Sequence, residues 1–310
     1  MQYSRITFTG ANDTTLPGIL WMPETEPKAI IQIAHGMTEH IGRYAALANY
    51  LTTQGIVVAG FDLRGHGNNF ENPYCASFGE KGWESSVEDL HLLYEFLNKK
   101  FPDLPHFMLG FSLGSFLLRE YLNRFDDKIA GAAILGTGYQ PKIILSFTRV
   151  ILKTQIHKAG FDETTPLVKK LSFEAYNRKF APNRTPCDWL CSDKRQQDLY
   201  RSDSLCRENI SAGLFWQLLG SMKRTGSLRS YHNWNKNFPI LLLSGDKDPV
   251  GNFGKGVHKV HKKMMHAGIK NVELHMLPEA RHDILHEDEN GGAQQARTII
   301  SEWILKNIKA

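Results

Sequence analysis

The chain has 310 residues, of which 42% are hydrophobic and 22% are charged, a composition that suits one large α/β domain with an insertion. Its formal net charge of +5 comes from scattered lysines and arginines, so we do not expect a nucleic-acid partner. No segment approaches the roughly 18 apolar residues of a membrane span, and the N-terminus lacks a secretory pattern. We therefore expect a cytoplasmic protein.

Cysteine spacing argues against a metal site. The four cysteines form no C-x-x-C pair and have no set of histidines close to them in sequence: Cys75, Cys187, Cys191 and Cys206. Thiols of a cytoplasmic protein normally stay reduced, so we expect neither disulfides nor a bound metal.

The first half of the chain alternates apolar runs with amphipathic stretches. Residues 5–8 and 18–22 predict an antiparallel hairpin. Further on we expect strands at 29–34, 56–61, 106–109 and 130–135, and helices over 44–54, 84–100 and 115–122. Strands that alternate with helices through short connections imply the α/β class, with a mostly parallel sheet and helices on both faces.

This alternation stops between residues 139 and 237, where helical stretches occur without a buried-strand run. It resumes with strands at 239–244 and 272–277 and helices over 253–267 and 293–308. The prediction is a core formed by residues 1–138 and 238–310, interrupted by a helical insertion at 139–237. Ligands bind at the carboxyl ends of strands in open α/β sheets, so the insertion is expected to cover the site as a lid.

A G-x-S-x-G element, Gly110-Phe111-Ser112-Leu113-Gly114, lies between a strand-like run and a helix-like run. In that context the pattern indicates a catalytic serine on a sharp turn, because glycines at 110 and 114 let the helix lie close against the strand. A serine hydroxyl is a poor nucleophile without help. It needs a base, an acid that orients the base, and donors for the developing oxyanion.

His282 is the predicted base, because it lies in the loop between the last strand and the last helix. His286, one helical turn further on, is the alternative. For the acid, Asp246 and Asp248 both follow the strand at 239–244. We choose Asp248, because it lies further into the loop and Pro249 stiffens the backbone there, whereas Asp246 is expected to cap the turn.

Two backbone N–H groups are predicted to bind the oxyanion. One belongs to Leu113, the residue after the serine, and its side chain should matter little. The other belongs to Met37 in His35-Gly36-Met37, which follows the buried strand at 29–34. Gly36 would permit the tight turn that directs the Met37 N–H into the site.

These motifs resemble those of the α/β-hydrolase superfamily, and within it the bacterial lysophospholipase and monoacylglycerol lipase-like branch. The resemblance rests on His35-Gly36-Met37-Thr38-Glu39-His40, Asp62-Leu63-Arg64-Gly65-His66-Gly67, Gly110-Phe111-Ser112-Leu113-Gly114, Gly245-Asp246-Lys247-Asp248 and Arg281-His282. It implies the α/β-hydrolase fold with an inserted helical lid over an acyl pocket. It also implies that Ser112, Asp248 and His282 form the catalytic set, in the chain order of this fold. Asp62, Arg64 and His66 are then structural.

Apolar stretches in the insertion suggest a pocket for an acyl chain. The segment 142–153 is apolar but interrupted by basic residues; it packs on the core or contacts a membrane surface weakly. Phe215 and Trp216, followed by Leu218 and Leu219, are candidate substrate-binding residues or simply pack.

The predicted function is a serine hydrolase that cleaves carboxylic esters with an apolar acyl chain, monoacylglycerols or lysophospholipids first, through an acyl-enzyme. It needs no cofactor. Alternatives are a short-chain carboxylesterase, an aminopeptidase of the same fold that uses Glu163, Glu174 or Glu208 to hold a substrate amino group, or a small-molecule receptor without turnover. The sequence does not give the oligomeric state.

Overall fold

The computed structural model describes residues 2–70, 72, 74–125 and 128–308, and within them eight strands and ten α-helices are present. The strands are β1 (Gln2–Thr9), β2 (Thr15–Met22), β3 (Ala29–Ala34), β4 (Ile56–Phe61), β5 (His106–Phe111), β6 (Gly131–Leu135), β7 (Ile240–Gly245) and β8 (Val272–Leu277). The helices are α1 (Ala45–Thr53), α2 (Gly82–Lys100), α3 (Leu113–Phe125), α4 (Lys142–Ala159), α5 (Pro166–Leu171), α6 (Phe173–Asn177), α7 (Lys194–Ser202), α8 (Ala212–Thr225), α9 (Lys255–His266) and α10 (Gly292–Asn307).

All eight strands form one sheet in the order β1-β2-β4-β3-β5-β6-β7-β8. β2 is antiparallel to β1 and β4, and every other pair of neighbours is parallel. The predicted N-terminal hairpin and mostly parallel sheet are therefore confirmed. The carboxyl ends of β3, β5, β6 and β7 lie at one edge of the sheet, and the loops that carry the predicted site residues follow β3, β5, β7 and β8.

Two hydrophobic cores lie on opposite faces of the sheet, because successive side chains of a strand point to opposite sides. In β3, Ile30 packs in the core beneath α2 and α3, whereas Ile31 and Ile33 pack in the core beneath α1 and α10. Both faces of the central strands are thus apolar, as their continuous apolar runs predict.

The elements differ from their predicted bounds mainly at their ends. A 3₁₀ turn at Ile41–Tyr44 precedes α1, so the α-helix begins at Ala45. β5 continues to Phe111 and α3 begins at Leu113, which leaves Ser112 alone between strand and helix. The turn around the predicted nucleophile is therefore as tight as the sequence pattern suggests.

Between β6 and β7 the chain forms α4 to α8 and no strand. A buried arginine of α3, Arg119, connects both ends of this segment to the core. It donates hydrogen bonds to Thr137 Oγ1 at 3.2 Å and to the Gly138 carbonyl at 3.3 Å, where the segment begins. It also donates to the Thr225 carbonyl at 2.8 Å and to the Tyr231 hydroxyl at 2.6 Å, where the segment ends.

Within the described residues, no helix is both long and apolar enough to cross a membrane. All four cysteines are free thiols.

Candidate active site

Ser112 occupies a strained turn between β5 and α3. Its φ of +50° lies in the left-handed region, which non-glycine residues seldom adopt. A Cβ at Gly110 would lie 2.4 Å from the Gly114 carbonyl oxygen, and a Cβ at Gly114 would lie 2.0 Å from the Ala34 carbonyl oxygen. Only glycines allow this contact between the turn, the helix and β3, which explains their spacing around the serine.

Three loops that are distant in sequence bring Ser112, His282 and Asp248 into contact. His282 Nε2 lies 2.8 Å from Ser112 Oγ, and His282 Nδ1 lies 2.9 Å from Asp248 Oδ2. The His282 and Asp248 side chains are 1% and 0% exposed, so water does not compete for this pair. The imidazole packs between Phe111 and Trp189, with ring centroids 4.9 Å and 5.2 Å away, and its plane is fixed on both sides.

The competing acid lies elsewhere. Asp246 is 39% exposed on its side chain and lies 3.8 Å from Lys247 Nζ. The prediction that Asp246 caps the turn is wrong, because the cap comes from Asp248, whose Oδ1 accepts a hydrogen bond from the Val250 N–H at 2.8 Å. Asp248 therefore orients its own loop as well as the imidazole.

The competing histidine belongs to a neighbouring ionic cluster. His286 Nδ1 lies 2.9 Å from Asp283 Oδ1, and Arg43 Nη2 lies 2.8 Å from Asp283 Oδ2. Arg43 also pairs with Glu39 at 2.9 Å, which joins the loop after β3 to the loop after β8. Burial opposes ionisation of Asp283, but His286 and Arg43 hold the pKa of its carboxyl well below the usual value. The i, i+4 spacing of Glu39 and Arg43 and the i, i+3 spacing of Asp283 and His286 are the sequence signals that could have predicted parts of this cluster.

His35 fixes the Gly36–Met37 peptide. His35 Nε2 accepts a hydrogen bond from the Leu63 N–H at 2.9 Å, so Nδ1 carries the proton and donates to the Gly36 carbonyl at 2.7 Å. Burial lowers the pKa of His35 to about 4, which keeps this neutral tautomer. Because the peptide is trans, the Met37 N–H points away from His35.

Among the described residues, none accepts a hydrogen bond from the backbone N–H of Met37 or of Leu113. Leu113 is the first residue of α3, where an N–H has no partner within the helix. Both residues line the same cavity as Ser112. The site thus contains two unpaired donors beside the serine.

Glycine at position 36 is needed because a side chain there would collide with neighbouring atoms. Its φ is not left-handed; instead, a Cβ there would lie 2.8 Å from Glu39 Oε1 and 3.0 Å from the Phe111 ring. The left-handed residue of this loop is Thr38, at φ +64°.

Asp62, Arg64 and His66 do not line the cavity that contains Ser112. Asp62 Oδ1 accepts from the Ile41 N–H at 2.9 Å, and the Arg64 guanidinium pairs with Asp89 at 2.6 Å. His66 is buried, and burial lowers its pKa to about 3. Their contacts hold loops together, as expected for structural residues.

A cavity of about 40 Å³ surrounds Ser112, with room for only a few water molecules. One group of lining side chains is apolar: Phe116, Leu218, Met222 and Val250. Another is polar: Thr38, Glu39, Tyr200 and Asp283. Such a site can accommodate a molecule with an apolar and a polar part, but only after neighbouring residues move.

The structure does not place Phe215 and Trp216 against this cavity. Trp216 lies on a different face of α8, where the Arg149 guanidinium stacks 3.8 Å from its ring centroid. The cavity is lined instead by Leu218 and Met222, four residues apart on one face of the same helix. Of the four residues of α8 named as candidates, Leu218 lines this cavity and Phe215, Trp216 and Leu219 do not.

A second cavity of about 190 Å³ adjoins the first within the insertion. The two share part of their walls: Phe173, Trp189, Leu190 and Tyr200. None of these four was predicted as a site residue. The segment from α6 to α7 consists of short helices and loops, which are too short to show a repeating spacing of apolar residues, so the sequence does not indicate which side chains face the cavity.

Comparison with known proteins identifies relatives of the whole chain. Residues 25–289 match the family described as serine aminopeptidase, S33. The chain is 27% identical to a monoglyceride lipase of Mus musculus over 86% of this chain and 83% of that protein. It is 24% identical to a monoacylglycerol lipase of Mycolicibacterium smegmatis over 98% of both. A thermostable carboxyl esterase of Bacillus coagulans, whose crystal structure contains glycerol, has a TM-score of 0.89 at 25% identity over 99% of both chains.

A family match over most of the chain, an α/β-hydrolase sheet and ester-cleaving relatives agree with one another. The chain therefore belongs to the serine aminopeptidase S33 family of α/β-hydrolases and is a serine ester hydrolase of the monoacylglycerol lipase type.

Proposed function

We propose that this protein hydrolyses carboxylic esters with an apolar acyl chain, monoacylglycerols or lysophospholipids, through Ser112, His282 and Asp248. The observation that carries the proposal is the continuous contact from the hydroxyl to the imidazole, at 2.8 Å, and from the imidazole to the carboxylate, at 2.9 Å. In such an arrangement the imidazole can accept and return a proton while the carboxylate fixes its tautomer.

In the proposed reaction, Ser112 Oγ attacks the ester carbonyl while its proton passes to His282 Nε2. The carbonyl electrons move to the oxygen, and the Met37 and Leu113 N–H groups bind this oxyanion; in comparable sites one such donor contributes roughly 3 kcal/mol. The intermediate collapses, the bond to the alcohol breaks, and His282 gives its proton to the departing alcohol. Water then cleaves the acyl-enzyme, with His282 again as the base.

The substrate class follows from the lining of the cavity and from the relatives. Phe116, Leu218 and Met222 offer apolar surface to an acyl chain, and the polar part of the lining offers a place for an alcohol group. The relatives named monoglyceride lipase and monoacylglycerol lipase favour a monoacylglycerol as the first substrate to test.

We also propose that residues 139–237 act as a lid over a core formed by 1–138 and 238–310. α8 supplies Leu218 and Met222 to the cavity, and α6, α7 and the loop between them supply several further lining residues. The cavity of about 40 Å³ is too small for an ester substrate, so parts of this segment must move before the substrate can reach Ser112.

The decisive experiment combines active-site labelling with a panel of esters. A fluorophosphonate probe should label the wild type, and Ser112→Ala should abolish both labelling and hydrolysis. Ser4→Ala, which removes an exposed hydroxyl on β1, serves as the control and should leave both unchanged. A wild-type protein that is not labelled would contradict the proposal and favour the receptor alternative.

The family name makes a peptidase the second candidate. Of the three acidic residues that could hold a substrate amino group, Glu174 and Glu208 line the second cavity, whereas Glu163 does not. Hydrolysis of p-nitrophenyl esters of increasing chain length should therefore be compared with hydrolysis of an aminoacyl anilide. We expect esters with longer acyl chains to react fastest, and faster turnover of the anilide would favour the peptidase.

An apolar face of α4 leads to a proposal about membranes. Ile143, Phe147 and Val150 recur at helical spacing and are 79%, 69% and 64% exposed. Lys153 and Lys158 lie further along the same helix and are exposed. Apolar side chains can enter the outer part of a bilayer while lysines beside them attract anionic lipid headgroups. We therefore propose that this face of α4 contacts the surface of an anionic membrane.

Vesicle sedimentation tests this contact. The wild type should bind vesicles of phosphatidylglycerol and phosphatidylcholine more tightly than vesicles of phosphatidylcholine alone. Phe147→Ser should weaken binding about tenfold, because one exposed aromatic side chain no longer enters the bilayer. Tyr3→Ser, at an exposed residue of β1, is the control. Equal binding of wild type and Phe147→Ser would rule out α4 as the contact.

A further inference from the structure

Thr38 is held in an unfavourable backbone conformation beside the predicted oxyanion donor. It directly follows Met37, is 1% exposed and has a φ of +64°. A left-handed conformation costs a non-glycine residue roughly 1–2 kcal/mol, and a β-branched side chain is especially rare there. The surrounding structure must therefore hold this residue in place.

The contacts that hold Thr38 come from the insertion, at α7 and the loop after it. Tyr200 OH lies 2.7 Å from Thr38 Oγ1, and the Arg207 N–H donates to the Thr38 carbonyl at 3.0 Å. Two residues further on, His40 Nε2 lies 2.8 Å from Asp203 Oδ2. The loop after β3 is thus attached to the insertion along residues 38–40.

The hydroxyl protons can be assigned from the acceptors. Thr38 Oγ1 donates to the Met37 carbonyl at 2.6 Å, which uses its only proton, so at 2.7 Å it accepts from the Tyr200 hydroxyl. The Thr38 and Arg207 carbonyls, both 3.3 Å from the Tyr200 hydroxyl, are its more distant acceptors. Burial raises the pKa of Tyr200 well above its usual value, so this hydroxyl keeps its proton. The result is a hydrogen-bond chain from Tyr200 through Thr38 to the backbone of Met37.

The hydrogen bonds from Tyr200 through Thr38 complete the restraint on the backbone of Met37. The peptide before it is fixed by the hydrogen bond from His35, which belongs to the core. The peptide after it is fixed by Thr38 and Tyr200, and Tyr200 belongs to the insertion. With both flanking peptide planes held, Met37 has little freedom to rotate its N–H away from the cavity.

We propose that Tyr200 is a positioning residue for the oxyanion hole: it holds Thr38 in the left-handed conformation and so fixes Met37. The insertion then determines how well the oxyanion is stabilised, besides covering the cavity. This inference rests on the proposed role of the Met37 N–H. It differs from a role for Tyr200 in binding the substrate alcohol, which would change KM rather than kcat.

Tyr200→Phe tests the proposal, because it removes only the hydroxyl. In comparable sites, removing one oxyanion donor lowers kcat roughly 10²–10³-fold. Tyr200→Phe leaves the Met37 N–H in place but holds it less firmly, so it should lower kcat about tenfold and leave KM within about twofold. Inhibition by an alkyl trifluoromethyl ketone, whose adduct with a serine carries an oxyanion, should weaken by the same factor. Tyr50→Phe, which removes a hydroxyl bound to Thr298 far from the site, is the matched control.

A double-mutant cycle with Thr38→Gly separates positioning from general damage. Glycine adopts the left-handed conformation without strain, so Tyr200→Phe should cost less than about twofold in a Thr38→Gly background. Thr38→Val is a second variant; it removes the acceptor hydroxyl, and Tyr200→Phe should add little to it.

An equal loss from Tyr200→Phe in the wild-type and Thr38→Gly backgrounds would overturn the proposal, as would a change confined to KM. Failure of the proposed function itself would appear differently, because Ser112→Ala would then retain hydrolysis. If Ser112→Ala is inactive while Tyr200→Phe is fully active, only the positioning role is wrong.

Discussion

At the scale of single residues, the two aspartates after β7 differ sharply in environment although only one residue separates them. Asp248 is buried and its two oxygens meet His282 Nδ1, the Ser244 hydroxyl and the Val250 N–H. Asp246 is partly exposed and lies near Lys247. A buried carboxylate with three hydrogen-bond partners can hold the imidazole in one orientation, whereas an exposed carboxylate near a lysine adds little interaction energy.

Asp248→Asn should therefore reduce kcat by about 10⁴-fold, because an asparagine amide can stabilise the wrong imidazole tautomer and cannot balance the imidazolium charge. Asp246→Asn should leave kcat within about twofold. Steady-state hydrolysis of one ester by both variants provides the measurement. Comparable losses in the two variants would contradict the assignment of the acid.

At the scale of elements, the turn between β5 and α3 depends on close backbone approach. The position of Gly114 against the Ala34 carbonyl sets how near α3 lies to β3, and this spacing fixes where Ser112 stands relative to the loop of Met37. The geometry of the site is therefore a property of how this strand and this helix pack, rather than of the serine alone.

Gly114→Ala should destabilise the protein by about 3 kcal/mol or more, because the added methyl would meet backbone that cannot move aside. Gly220→Ala is a suitable control within α8, since its Cβ would lie 3.3 Å from the flexible ends of Arg149 and Arg224. That variant should be neutral or stabilised by up to about 1 kcal/mol. Urea unfolding measures both, and a neutral Gly114→Ala would show that the turn tolerates a side chain.

At the scale of the whole molecule, three buried histidines make folding depend on pH. Burial lowers the pKa of His35 to about 4 and that of His66 and His106 to about 3, from an ordinary value of 6.5. In the unfolded chain they take up protons near pH 6.5, whereas in the folded protein they stay neutral until near pH 3–4. The unfolded state binds more protons in between, so the free energy of unfolding falls as the pH falls through this window.

His106→Gln should make this dependence shallower, by about 1.4 kcal/mol per pH unit between pH 5.5 and 4, because one proton is no longer taken up on unfolding. His106 lies at the start of β5, at the opposite end of that strand from Ser112. His258→Gln, at an exposed residue of α9, is the matched control for the substitution itself. Urea midpoints at several pH values measure the effect, and parallel curves for His106→Gln and wild type would contradict it.

The sequence alone determined the fold class, because strand and helix periods and the glycines of a tight turn are local properties. The sheet, its mostly parallel order and the α/β-hydrolase family are confirmed. The roles of Ser112, Asp248, His282, Met37 and Leu113 stay predictions, although the structure brings all five to one cavity or its border.

Only the tertiary structure decided which insertion residues face that cavity and what holds Thr38 in its left-handed conformation. Trp189 and Tyr200 reach the site from short helices and loops with no long hydrophobic period, and Trp216 faces away although it lies on the correct helix. Contacts such as that of Tyr200 with Thr38 join residues 162 positions apart. Local patterns fix the direction of a side chain on its own element, but the packing of whole elements decides what that side chain meets.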